Sequence, residues 1–217
     1  MRINERFGLP GHFYFMGPTS LSMDSPYAVS MYPLLQRLVS EISGRGHKIG
    51  FHPGFDTFNN QTEWLRQREG LEKIIGTKVL EGRQHVLRYQ ADVTPDIWSE
   101  AGMQYDCTLM YPEVTGFRPG TCRPFYAYSL GRRCQLPLRQ GATAISDFSL
   151  MGGKYRNLSI EDALSECAAA SEVCRKYGGE LVILFHTGQK RNPWFMFYEG
   201  LLARIMAQVN GDVVNDR

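Results

Sequence analysis

Three histidines stand where an α/β chain would do chemistry. His52 closes the run Lys48-Ile49-Gly50-Phe51, His85 follows Val79-Leu80, and His186 follows Leu181-Val182-Ile183-Leu184-Phe185. Each stands at or just beyond the end of a segment that reads as a strand, and in parallel α/β folds ligands gather at the carboxyl ends of the strands. Imidazole is the commonest metal ligand and the side chain that titrates near neutrality, so the set points to metal binding or to acid–base work. Asp56 follows His52 by four positions. One helical turn would put both on one face to share a cation; the alternative is that Asp56, with Thr57, caps the next helix.

Arginines crowd the same stretches. Arg83 and Arg88 flank His85, and Arg118 and Arg123 lie in a Gly/Pro-framed loop that ends at Phe125. A guanidinium fork suits carboxylates or an anionic sugar, with a solvated surface role competing for at least two of the four. Phe125, Tyr126, Tyr128, Trp194, Phe195 and Phe197 offer surface for stacking on sugars, with packing the competing role for most of them. His12, inside a strand, reads as a core or pairing residue, and His47 as closing the turn after Gly46.

Strand-like and helix-like segments alternate along the chain, which predicts a parallel sheet or barrel. Residues 12–16 and 48–52 read as strands, and Leu34, Leu35, Leu38, Val39 and Ile42 recur at helical spacing between them. A helix is expected from Gln61 to Ile75, a strand near Val79, a helix capped by Thr94 with Pro95 in its first turn, and a strand over 105–110. Residues 112–153, rich in Gly, Pro and Arg, show little periodicity and read as a functional loop. Ser159 caps a helix that stops at Gly178-Gly179; residues 181–185 read as a strand buried on both faces, and 198–209 as a last helix before a frayed tail over 210–217.

The chain has 217 residues, 43% apolar and 21% charged, with a net charge of +2. That suits one domain with a sizeable core and excludes a disordered chain. The balanced charge argues against binding nucleic acid through bulk electrostatics. No apolar run approaches the ~20 residues of a membrane helix, and no signal-peptide pattern opens the chain, so a cytoplasmic protein is expected. The five cysteines contain no Cys-x-x-Cys pair and read as small buried hydrophobes.

Gly46-His47-Lys48-Ile49-Gly50-Phe51-His52 resembles a metal-binding segment of the polysaccharide deacetylases, carbohydrate esterase family four. The resemblance implies an incomplete (β/α) barrel, a carbohydrate substrate and a divalent metal, zinc or similar. It makes His52 a metal ligand, with Asp56 standing where the family has a second histidine and His85 a further candidate. Arg83 falls at the family's arginine motif, and His186 corresponds to the general acid. Arg88, Arg118, Arg123, Phe125 and Trp194 are the expected substrate contacts. The family's first strand carries paired aspartates, and this chain begins after that place: either it belongs to a longer protein, or it lacks that strand and with it the activity. Asp24, Asp106 and Asp147 are the candidate replacements, with nothing in their spacing to choose among them. The functions implied are metal-dependent removal of an acetyl group from a sugar or, without the catalytic pair, glycan binding on the same scaffold.

Overall fold

The computed structural model describes residues 1–24, 27–188 and 192–215. The chain divides into two compact units, one formed by Met1, Pro10–Thr108 and Phe125–Gln140, the other by Arg2–Leu9, Leu109–Pro124 and Gly141–Arg217.

The first unit is built on a six-stranded sheet. Strands β1 (His12–Phe15), β2 (Lys48–Phe51), β3 (Glu81–Gly82) and β4 (Tyr105–Asp106) run parallel in that order. Next comes β6 (Cys134–Gln140), parallel to β4, and then β5 (Phe125–Ser129), antiparallel to β6 at the edge. Helices α2 (Tyr32–Gly44), α3 (Gln61–Ile75) and α4 (Thr94–Glu100) supply its apolar cover. Phe15, Val39, Phe51, Trp64, Leu71, Trp98 and Leu138 belong to one buried cluster, in which the Trp64 ring sits 5.0 Å from Phe51 and 5.5 Å from Trp98. Helix α3 starts and stops as its sequence dictates. Asn60 accepts the Glu63 N–H at the start, and Gly76 takes the left-handed conformation at the end, where a side chain would be strained.

The second unit contains α1 (Arg2–Arg6), the parallel pair β7 (Thr143–Ser146) and β8 (Val182–Leu184), and helices α5 (Asp147–Met151), α6 (Ile160–Tyr177) and α7 (Asn192–Asn215). Ala144, Ile145, Leu150, Leu164, Cys167, Phe197 and Leu201 form its core. Ser159 caps α6 by accepting the Asp162 N–H, and left-handed Gly178 ends it. The strands of the two units form separate sheets, with no closed barrel among the described residues. This is the mixed α/β, incomplete-barrel class expected from the sequence. Among the described residues no helix is long and apolar enough to cross a membrane.

Several local expectations are corrected. The stretch 112–153 holds β5, β6, β7 and α5 rather than one irregular loop. Thr94 is not the cap of α4: its hydroxyl accepts the Gln90 N–H and donates to the Phe58 carbonyl, while the cap position is Val93. β8 is half-buried, not enclosed on both faces. Of the two readings of His12 the core one fails and the pairing one holds: it is exposed and pairs with Glu81 at 2.5 Å. His47 does help close the turn after Gly46, its N–H donating to the Ile42 carbonyl, and its buried Nδ1 also accepts the Gly11 N–H, which pins the chain entering β1. Four cysteines are buried as expected, but Cys134 is exposed. Helix α7 continues through residues expected to fray, and 216–217 lie outside the described residues.

Candidate functional site

Strand register places the histidines. In the first unit Phe51 of β2 pairs with Gly82 of β3, so His52 and Arg83, each one residue beyond its strand, come side by side. His52 Nδ1–H donates to the Arg83 carbonyl at 2.5 Å. The chain then turns through a 3₁₀ segment at His85–Leu87, which brings His85 Nδ1 to 3.1 Å from His52 Nε2, with one proton between the two nitrogens. On its other side His85 Nε2 stands 3.8 Å from Oδ1 of Asp24, a carboxylate with no solvent exposure. Asp24 takes its direct hydrogen bonds from the Phe55 N–H at 2.9 Å and the Thr19 hydroxyl at 3.2 Å.

The remaining candidates of this unit are held locally. Asp56 accepts from Arg88 at 2.9 Å, and the Arg88 guanidinium lies over the Phe55 and Phe58 rings at 4.0 and 3.9 Å. Arg83 is buried, donates from Nε to the Cys107 carbonyl at 3.2 Å and faces the Tyr14 ring. Beneath it, buried Asp106 accepts from Thr108 and from Gln140, and burial raises its carboxyl above the usual range against those bonds. Phe125, at the start of β5, is half-buried.

In the second unit the pairing Ser146↔Leu184 puts the residues after β7 and β8 together. Asp147, fully buried, accepts the backbone N–H of His186 on Oδ2 at 2.8 Å and the ring Nδ1–H on Oδ1 at 2.6 Å. The Phe148 N–H also donates to Oδ1. One carboxylate therefore fixes both the ring orientation and the tautomer of His186. The Phe148 ring packs edge-on to His186 at 4.4 Å and against Trp194 at 5.2 Å. Arg118 and Arg123 hold backbone carbonyls, those of Met110 and Tyr177. Asp24 and Asp147 are thus the aspartates that stand next to histidines. Their signal in the sequence was faint: Asp147 follows the short apolar run Ala142-Thr143-Ala144-Ile145, and Asp24 follows no regular element.

Solved structures supply context for this arrangement. A candidate polysaccharide deacetylase from Mycobacterium smegmatis superposes with a TM-score of 0.66 over 95% of this chain and 68% of its own, at 19% identity. The fold is that of the polysaccharide deacetylases. The PuuE allantoinase matches 93% of the chain with a TM-score of 0.63 at 15% identity, and a candidate polysaccharide deacetylase from Pseudomonas aeruginosa PAO1 matches 93% with 0.58 at 16%. The chain spans 63% of the length of each of the latter two. No protein-family model matches the sequence, and no curated protein does.

The divalent metal implied by the sequence resemblance raises the question of a cation site. His52 Nε2 and His85 Nδ1 are the right kind of donors, and the Arg83 carbonyl behind His52 is the usual outer partner of a ligating imidazole. A catalytic zinc takes three protein ligands. Asp24 lies on the far side of the His85 ring from His52, Asp56 is engaged by Arg88, and the described residues contain no group of three His, Cys, Asp or Glu arranged to hold a metal. As arranged, these residues do not fit the ion.

Proposed function

We propose that this deacetylase-type fold hydrolyses an acetyl group on a carbohydrate, with His186 as proton carrier and Asp147 as the residue that positions it. The observation that carries the reading is the buried Asp147 carboxylate accepting both N–H groups of His186, at 2.8 and 2.6 Å. With Nδ1 held protonated, the imidazole exchanges its second proton at Nε2. In that role the imidazolium gives a proton to the departing nitrogen or oxygen as its bond to the acetyl carbon breaks. The hydroxyl of water stays on that carbon, and water's remaining proton restores the imidazolium. Phe148 and Trp194 extend an aromatic wall from the imidazole, suited to the apolar face of a sugar ring. No step is assigned to His52, Asp56, His85 or Arg83, whose arrangement supplies two nitrogen donors and not three.

That shortfall favours a second reading, a glycan-binding module that does no chemistry. Acetate release from acetylated amino-sugar oligomers and acetylated xylan separates the two. Under the first reading the wild-type chain turns over and His186→Ala falls by roughly 10²–10⁴-fold, the usual worth of a positioned acid–base group. Glycan binding with no acetate released by the wild type establishes the second.

A further inference from the structure

We propose that the open face of strands β4, β6 and β5 binds an oligosaccharide that carries carboxylates. Tyr126 and Tyr128 would stack on its sugar rings, and Arg139 would grip an acidic group. In β5 the side chains alternate, burying Ala127 and Ser129 and leaving Tyr126 and Tyr128 at 54% and 50% exposure on the other side. Two positions apart on a strand, their rings are about 7 Å from each other along the chain direction. Register adds the charge. Arg139 of β6 pairs with Tyr126 on one side and with Tyr105 of β4 on the other, so a guanidinium stands in a row between two phenols.

Arg139 is exposed, and its side chain has no hydrogen-bond or carboxylate partner among the described residues. Arg132, in the turn between β5 and β6, is by contrast engaged by Asp96 at 2.6 Å and Glu100 at 3.4 Å. The acid next along the row, Glu81 of β3, pairs in register with Tyr105 and is held by His12 at 2.5 Å. Flat aromatic faces pack against the C–H faces of sugars, and a guanidinium fork matches a carboxylate. A peptide strand would instead use the backbone edge of β5.

This face is independent of the hydrolytic reading, because every residue in it belongs to the first unit. The test is calorimetric titration of the full chain with a galacturonic-acid oligomer, with a neutral cellulose oligomer and a thymidine oligonucleotide alongside. Binding of the acidic oligomer is expected. Tyr126→Ala and Tyr128→Ala should each weaken it by about tenfold. Arg139→Gln should weaken it by about tenfold while leaving the neutral oligomer unchanged. His186→Ala should bind as the wild type does, so loss of hydrolysis and loss of this site are read separately. These side chains face solvent, and unchanged melting temperatures verify that the variants fold. The proposal falls if the acidic oligomer does not bind, if the three variants bind it equally well, if the oligonucleotide binds more tightly, or if the substitutions abolish self-association of the chain instead.

Discussion

The two histidine sites are made by one device and finished differently. In each, parallel strands in register deliver residues just past the last paired position, so residues far apart in sequence become neighbours. At His186 the neighbour is a buried carboxylate bonded directly to the ring and to the backbone of the same residue. At His52 it is a backbone carbonyl and a second imidazole, and the nearest carboxylate, Asp24, stands 3.8 Å from His85, beyond hydrogen-bond length. The first arrangement holds an imidazole in one tautomer, as the proposed proton carrier requires. The second builds a pair of nitrogen donors whose orientation rests on neutral groups.

Substituting the two aspartates breaks this comparison most directly. Asp147→Asn keeps the shape but offers the ring N–H and the backbone N–H one acceptor oxygen in place of two. Acetate release should fall roughly 10²–10⁴-fold, with the fold retained by circular dichroism. Asp24→Asn makes no direct bond to a histidine worse, and a change below about tenfold is expected. Equal losses in the two variants would end the distinction drawn here. Stability follows the same order. Asp147→Ala strands three N–H donors at about 1–3 kcal/mol for each one that is buried, whereas Asp24→Ala strands one N–H and a hydroxyl. Urea unfolding should therefore show the larger loss at position 147.

Why the sequence revealed one histidine's partner so poorly is a matter of range. Helices α3 and α6 were legible because their start and stop signals are local: a glycine that turns left-handed ends each, and Ser159 opens the second. β6 was hidden because Pro137 interrupts an otherwise alternating run, and the strand accommodates it where the register with β5 shifts. β5 buries only alanine and serine, and β7 offers only a four-residue run of small residues around Ile145, so neither stands out as a strand. Without β7 nothing singles out Asp147, since its partner lies 39 residues along the chain. His52 and His186 were visible because each closes a short, largely apolar run, and His85 because it follows Val79-Leu80 by a few residues; their carboxylates were not, because pairing and not local sequence brings them there.

A smaller effect tests the cost of the turn at His85. Val86 and Leu87 both adopt positive φ, 54° and 57°, a region that a β-branched side chain strongly disfavours. Neither Asp147 nor His186 has such a backbone. Val86 is 60% exposed, so packing does not compensate for the strain; the hydrogen bond from the His85 N–H to the Pro53 carbonyl helps hold the turn. Val86→Gly should stabilise the chain by about 1 kcal/mol in urea unfolding, because glycine adopts this region freely. No gain would mean that the chain relaxes there and that the first site's geometry costs nothing.

The smallest effect concerns the charge beneath the first site. Burial raises the Asp106 carboxyl above its ordinary range, opposed by hydrogen bonds from Thr108 and Gln140 and by Arg83. A carboxyl raised in the folded state binds its proton more tightly folded than unfolded. Its contribution to stability is therefore fullest below the ordinary carboxylate range and is lost as pH rises through that range to the raised value. Asp106→Asn removes this titration. Melting temperatures of wild type and variant, measured from acid to neutral pH, should shift in the variant's favour as pH rises and then run parallel. The opposite trend, with the wild type gaining on the variant, would mean that the three hydrogen bonds and the guanidinium hold this carboxylate ionised despite its burial, and that the first unit too sets a charge by direct contact.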